Sequence, residues 1–417
     1  MRGEITPSGS KNSAVTIIPA TILFDGEVVL ENVPEITDVT RLTDTLMKLG
    51  AKITWDKEAK TLGIDNSDIS FERINKNEIG NMKGMSLLWG PMLSRFGKVI
   101  FDDLPGGCTL GIRPLDAQYM AFRDLGVSVQ DSPKSVRMDA TQAKSTEVWL
   151  TEMSPTATEN AVMLATSLKG VTRIIGAASE PQVQDLCNFL SLSGANIKGV
   201  GSSVLEIEGG RKLTARRFRM LPDHYEIATF LALGAVTGGQ VKVKNAMPGK
   251  LTNIMDVFER FGIKINYHGD SAQVSDQKVR IGEGQNKTLV VKAQPWPALP
   301  VDLLPIFIPM AISAEHGQVL FHNWMYESGL FWTSELVKLG ANIIMADPHR
   351  VVVSAGNKLY GATLEAPYII RAVVAMVMAA MIAEGETTIL NADTLYRGHP
   401  HFSENLRKLG AVIEEVA

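Results

Sequence analysis

Gly317-Gln318-Val319-Leu320-Phe321-His322-Asn323 alternates apolar and polar side chains as a half-buried strand does, and Leu339-Gly340-Ala341-Asn342-Ile343 then ends a helical stretch on a glycine and restarts a strand. Each half is ordinary alone; the recurrence decides the fold. The ending returns as LGAKI at Gly50, LGVSV at Gly126, SGANI at Gly194, FGIKI at Gly262 and LGAVI at Gly410, so the glycines follow one another at intervals of 76, 68, 68, 78 and 70 residues. The opening returns as GEVVLEN from Gly26, GKVIFDD from Gly97, GVTRIIG from Gly170, GQVKVKN from Gly239 and GETTILN from Gly385. Such a period marks a chain built by copying one supersecondary unit, with function where the copies differ.

Working upstream from each opening, apolar stretches long enough for a buried helix run over Ala157 to Leu168, Ile227 to Val236 and Ala372 to Ala383. One unit therefore reads helix, strand, exposed helix, glycine C-cap, strand; the glycine supplies the left-handed conformation that ends a helix. Units of about 70 residues are too long for an ordinary solenoid. The expected assembly is three units packing their apolar helices into one domain, done twice, with the boundary near residue 222.

A chain of 417 residues suits two cores rather than one. With 45 acidic and 41 basic residues the net charge is −4, which gives no general attraction to nucleic acid or anionic lipid. The two cysteines, Cys108 and Cys187, do not make a disulfide framework and fit a reducing compartment. The run Ala14 to Phe24 contains a proline and lacks a well-placed small-residue cleavage site, so it does not read as a signal peptide. Ala372 to Ala383 is shorter than the roughly 20 residues of a membrane span. A cytoplasmic protein that binds neither nucleic acid nor membrane is expected.

Four places break the repeat. Gly9-Ser10-Lys11-Asn12-Ser13 precedes the first buried helix; it offers backbone N–H groups and a positive charge to an anion, or simply a turn and a cap. Leu104 to Asp116 holds three glycines and two prolines, the composition of a long loop, and carries Cys108 and Arg113. A thiol beside a cation is poised for proton transfer or alkylation; the alternative is a surface loop with an incidental cysteine. Cys187, in the apolar-spaced segment Val183 to Leu190, reads as core. Arg371 at the start of an apolar helix and Arg397 in a loop are costly unless each meets an anion, either a small phosphorylated acid or a protein carboxylate. Asp302, between Pro300 and Pro305 at the mouth of an apolar helix, is a base or an N-cap, and on sequence alone the cap reading comes first.

Together these constellations resemble the enolpyruvyl transferases. The loop Pro105-Gly106-Gly107-Cys108 to Arg113-Pro114 is similar to the branch that acts on UDP-N-acetylglucosamine in peptidoglycan biosynthesis, and is lacking in the EPSP synthase branch. The resemblance runs from the GSKN segment to the closing YRG and LRKLGA strings. It implies an α/β fold of two inside-out barrels, six repeats with three per domain. Residues 11–221 would form the first domain; 222–417 with 1–10 would form the second, and the active site would lie in the interdomain cleft. It also implies that about ten residues usually preceding this start, an edge strand of the second domain, are absent.

The resemblance further implies roles. Lys11 and Asn12 match a pair that grips phosphoenolpyruvate and the acceptor. Cys108 matches a lid cysteine that delivers a proton and is the target of fosfomycin, and Arg113 a lid arginine for the phosphate. Pro114, Leu115 and Asp116 match a segment framing uracil, and Asp302 the general base for the acceptor 3′-hydroxyl. Arg371 and Arg397 match arginines at the phosphoenolpyruvate end, and Asp223 an acid at the domain junction. No cofactor or metal is implied, and the protein would be a monomer or weak homo-oligomer.

The chain also departs from the family pattern. Lys83 stands for an arginine, and DRIETGTF reads Asp223-His224-Tyr225-Glu226-Ile227-Ala228-Thr229-Phe230. Gly329 stands for a junction arginine and Ile369 for an aspartate, while the acceptor strip reads Met153-Ser154-Pro155-Thr156. Those departures leave a second reading open, a paralogue that places enolpyruvate on another nucleotide or nucleotide sugar in secondary metabolism.

Overall fold

The computed structural model describes residues 1–73, 83–101, 115–132, 135–214, 216–282 and 288–416, with backbone only for residues 83 and 84. Gly50, Gly126, Gly194, Gly262, Gly340 and Gly410 all adopt φ between +71° and +111°, which a Cβ would strain. Each ends its helix in the same way. The Gly340 N–H donates to Val337 O at 2.9 Å and the Ala341 N–H to Leu336 O at 3.3 Å; at Gly50 the corresponding bonds, to Met47 O and from Ala51 to Leu46 O, are both 2.9 Å. This paired closure satisfies the last helical carbonyls and turns the chain into the next strand, which is why the glycine recurs.

The helices are of two kinds. Lys11–Ala20, Trp89–Phe96, Pro155–Ala165, His224–Val236, Leu304–Ser313 and Ile370–Ala380 are the buried set. All thirteen residues of His224–Val236 are buried, as an apolar surface on every side of a helix requires. The outer set is amphipathic: Thr37–Leu49 turns Val39, Leu42, Leu46 and Leu49 inward. Three buried helices begin two or three residues earlier than their apolar runs. Ser154 accepts from Ala157 N and Asp223 from Tyr225 N and Glu226 N, so polar capping residues extend the first turn beyond the apolar stretch. At Ile369 no side-chain cap is made.

The strands wrap these helices. Gln318–His322 runs parallel to Leu289–Lys292 and antiparallel to Arg350–Ser354, which in turn pairs antiparallel with Asn342–Asp347. Its burial alternates, with Val319 and Phe321 on the core and the opposite face toward solvent. Gln240–Val243 and Glu27–Glu31 hold the same second place in four-stranded sheets of the same order. The parallel partner of Glu27–Glu31 is Arg217–Arg219, so a strand late in that segment returns to pair with its first repeat.

By internal contacts the chain divides into two compact units: Met1–Ser8 with Pro222–Ala417, and the described residues between Gly9 and Leu221. Each has its own apolar core, the first built on Phe230, Phe258, Phe307, Phe321 and Phe402, the second on Phe24, Trp89, Phe101, Phe122 and Phe189. Arg2–Ile5 pairs parallel with Gln240–Val243 in register, Arg2 opposite Gln240 and Ile5 opposite Val243. Among the described residues no helix is long and apolar enough to cross a membrane.

Candidate active site

In the unit holding residues between Gly9 and Leu221, Ser10 caps the first buried helix by accepting from Ser13 N at 3.2 Å. Gly9 is required just before it, because a Cβ there would lie 1.6 Å from the Asn32 carbonyl oxygen. Lys11 opens the helix with its Nζ 2.9 Å from Asp38 Oδ2, the side chains being 15% and 5% exposed. Asn12 follows, half-buried. Asp38 was not singled out from sequence. Its signal was an acid on the inward face of an amphipathic helix, in line with Leu42, Thr45 and Leu49.

The segment matched to uracil framing and the acceptor strip come together. Leu115 precedes the helix Asp116–Asp124, and Asp116 is exposed in its first turn. Two residues on, buried Gln118 donates its Nε2–H to Thr156 Oγ1 at 2.8 Å, and Thr156 Oγ1 lies 3.3 Å from Ser154 Oγ. Lys83 opens a short 3-10 turn before Trp89–Phe96, and its side chain is outside what the structure describes. Cys108, Arg113 and Pro114 also lie outside the described residues. Cys187 is fully buried, and burial together with nearby Glu159 pushes its thiol up to about 12, so it is a core residue as read.

The other unit carries Asp223, Asp302, Arg371 and Arg397, the first three within electrostatic reach of His224. Asp223 is the N-cap of His224–Val236, accepting from Tyr225 N at 2.9 Å and Glu226 N at 3.1 Å. Asp302 corrects the cap reading. The residues flanking the 3-10 turn Val301–Leu303 and the helix Leu304–Ser313 at their N-termini are Pro300 and Leu303, so the half-buried Asp302 carboxylate caps neither. Arg371 is 7% exposed; its guanidinium lies 4.5 Å from the Tyr225 ring centroid and donates a short hydrogen bond to His399 Nε2. His399 Nδ1 in turn lies 3.1 Å from Glu226 Oε1, and Glu226 Oε2 accepts from Ser8 N at 2.6 Å. The protein partner of Arg371 is therefore an imidazole backed by a carboxylate. Arg397 stacks over Tyr368 at 4.8 Å.

His224 lies in the same neighbourhood, 1% exposed, with neither ring nitrogen hydrogen-bonded and its ring against Tyr225 and Trp296. Burial pulls its pKa down to about 4; Asp223 and Asp302 oppose that shift and Arg371 adds to it. A neutral imidazole thus stands within electrostatic reach of the candidate base and the candidate anion-binding arginine. From sequence, His224 and Tyr225 stood out only as departures from a motif that keeps Glu226, and His399 was passed over. A fully buried polar side chain on an otherwise apolar helix was the available sign.

Gly329 explains one missing arginine. A Cβ there would sit 2.2 Å from Asn323 Nδ2, and Asn323 is itself buried, so no larger side chain fits without rearrangement. Met153 is partly exposed ahead of the Ser154 cap. Among the described residues no cluster of His, Cys, Asp and Glu has the makings of a metal site.

A family profile for EPSP synthase (3-phosphoshikimate 1-carboxyvinyltransferase) matches residues 1–406. Relatives named UDP-N-acetylglucosamine 1-carboxyvinyltransferase include that of Borreliella burgdorferi, 39% identical over 99% of this chain and 96% of its own length. Those of Bradyrhizobium diazoefficiens, 38% identical over 100% and 96%, and Treponema denticola, 36% identical over 99% and 96%, carry the same name. Among solved structures, the enolpyruvyl transferase NikO from Streptomyces tendae superposes with a TM-score of 0.86 at 21% identity, covering 99% of this chain and 95% of that one. EPSP synthase from Acinetobacter baumannii gives 0.72 at 16% identity, covering 99% and 96%. These two share the α/β fold expected from the repeats. The chain belongs to the EPSP synthase family, the enolpyruvyl (1-carboxyvinyl) transferases.

Proposed function

We propose that this enolpyruvyl transferase moves the enolpyruvyl group of phosphoenolpyruvate to the 3′-hydroxyl of UDP-N-acetylglucosamine and releases phosphate, the first committed step of peptidoglycan biosynthesis. The observation that carries this reading is identity of 35–39%, over nearly whole chains, to relatives bearing that activity in their name. Absence of a membrane-crossing helix among the described residues is consistent with work in the cytoplasm.

The reaction is an addition followed by an elimination. Carbon 3 of phosphoenolpyruvate takes a proton while the acceptor oxygen attacks carbon 2, giving a tetrahedral intermediate that then gives up a proton from carbon 3 as it expels phosphate, restoring the double bond. In this reading Asp302 takes the hydroxyl proton, and its freedom from any capping duty supports that role. Cys108 serves proton delivery. Lys11, Asn12, Arg113, Arg371 and Arg397 hold the phosphate and carboxylate, where fixed cations stabilise charge that develops in the intermediate. Leu115, Asp116 and Ser154 receive the nucleotide end, and their link through Gln118 and Thr156 suits a single acceptor surface.

The lost arginine at Gly329, whose place is filled by Asn323, favours keeping a second reading, in which another nucleotide or nucleotide sugar is the acceptor. A phosphate-release assay with phosphoenolpyruvate and a panel of acceptors decides. Turnover with UDP-N-acetylglucosamine above UMP and other UDP-sugars is expected; its absence, with turnover of another acceptor, would replace the first reading by the second.

A further inference from the structure

We propose that His399 is the positioning residue for Arg371, and that it acts only as the neutral ring protonated on Nδ1. The inference rests on the reading of Arg371 as a phosphoenolpyruvate-binding cation and goes beyond it by naming what fixes that cation. A guanidinium has donors only, so its bond to Nε2 requires a lone pair there. A carboxylate is an acceptor, so Glu226 Oε1 at 3.1 Å from Nδ1 requires an N–H there. Only one form of histidine satisfies both neighbours. The doubly protonated ring would present an N–H to Arg371, and the other neutral tautomer would present a proton to the cation and a lone pair to the carboxylate.

The surroundings enforce this form. His399 is 0% exposed, Glu226 2% and Ser8 6%, so no member of the chain of bonds can turn to water instead. The charged and titratable groups facing the ring are Arg371 from the helix Ile370–Ala380, with Glu226 and Asp223 from the start of His224–Val236; Phe402 packs on its ring. Burial and Arg371 hold its pKa below the ordinary value against the pull of Glu226 and Asp223. Tyr225 supports the guanidinium from its face while His399 fixes one edge, so the two together determine the plane in which its remaining N–H groups point. Glu226 completes the arrangement. Its second oxygen is taken by the Ser8 N–H at 2.6 Å, which holds the carboxylate in the orientation that the imidazole needs.

The test uses the full chain. Nitrogen-15 NMR of histidine-labelled protein, with His399 assigned by its loss in His399→Gln, reports which ring nitrogen carries the proton. Protonation on Nδ1 alone at pH 7 is expected; an Nε2–H or doubly protonated ring at pH 7 overturns the proposal. In kinetics, His399→Phe should raise KM for phosphoenolpyruvate by about tenfold or more, as loss of a charge-assisted bond does, with KM for the acceptor within about twofold. His399→Gln, whose amide keeps one donor and one acceptor, should recover most of that loss. A folded His399→Phe with unchanged KM for phosphoenolpyruvate also overturns it. Should His399→Phe fail to fold, the NMR result on the unaltered protein decides. Lack of turnover by the unaltered protein with every acceptor would sink the functional reading alone; the tautomer measurement would still decide the role of His399.

Discussion

Lys11 Nζ and Asp38 Oδ2 meet at 2.9 Å in surroundings that leave the aspartate side chain 5% exposed. A cation proposed to grip phosphoenolpyruvate is thus held from below by an acid that the repeat pattern did not announce. Removing one member of a buried pair leaves the other uncompensated, which costs far more than the pair itself contributes.

Asp38→Asn is therefore expected to destabilise the fold by about 3 kcal/mol and to raise KM for phosphoenolpyruvate. Lys11→Met combined with Asp38→Asn should regain part of the stability while turnover is lost. Urea midpoints of the two variants and the unaltered protein provide the check; an Asp38→Asn midpoint equal to that of the unaltered protein would count against a paired, buried Lys11.

Asp302 and Asp223 should separate chemistry from stability. Asp302→Asn is expected to lower kcat at least about a hundredfold, as loss of a general base does, with little change in melting temperature because it caps no helix. Asp223→Ala removes an acceptor of two first-turn N–H groups and should cost about 1 kcal/mol or more in stability. Steady-state kinetics with thermal melts of both variants would show the contrast or its absence.

The two cysteines should behave as opposites. A thiol reagent on the native protein is expected to label Cys108 and leave Cys187 untouched until denaturation, since burial raises the Cys187 thiol to about 12. Cys108→Asp is expected to retain turnover, because an acid remains, and to resist fosfomycin, because the thiolate is gone. Mass spectrometry after exposure to fosfomycin reads both; inactivation of Cys108→Asp would remove Cys108 from the proposed mechanism.

Acid sensitivity should trace to His224. Its pKa is lowered to about 4 from an ordinary 6.5, so between those values the unfolded chain binds a proton that the folded one refuses. Stability from this group is fully present above about 6.5 and falls as pH drops toward 4, by roughly 3 kcal/mol in all. His224→Gln should flatten that part of the stability profile. Chemical denaturation at pH 7 and pH 4.5 gives the comparison, and an unchanged difference between the two pH values would assign the effect elsewhere.

Much of the architecture was legible in Gly340 and its five counterparts, because a helix that must turn straight into a strand needs a left-handed residue, and glycine supplies it regardless of what packs nearby. Helix starts were less legible. Ser154 and Asp223 are polar, so an apolar run cannot reveal that they begin buried helices. Asp302 was misjudged for a related reason: proline-flanked acids usually cap, and only the backbone path shows that this one does not.

The sequence by itself determined the sixfold repeat, the alternation of buried helix and outward strand, and the residue types at the breaks in the pattern. These follow from local conformational preference and hydrophobic period, which are properties of short segments. The tertiary structure alone decided that Lys11 is paired with Asp38, and that Arg371 is held by His399 and Tyr225. It also decided that His399 rests on Glu226, 173 residues away in the chain. Such pairings depend on burial, since withdrawing a charge from water makes a specific partner necessary, and the partner is chosen by proximity in space rather than in sequence.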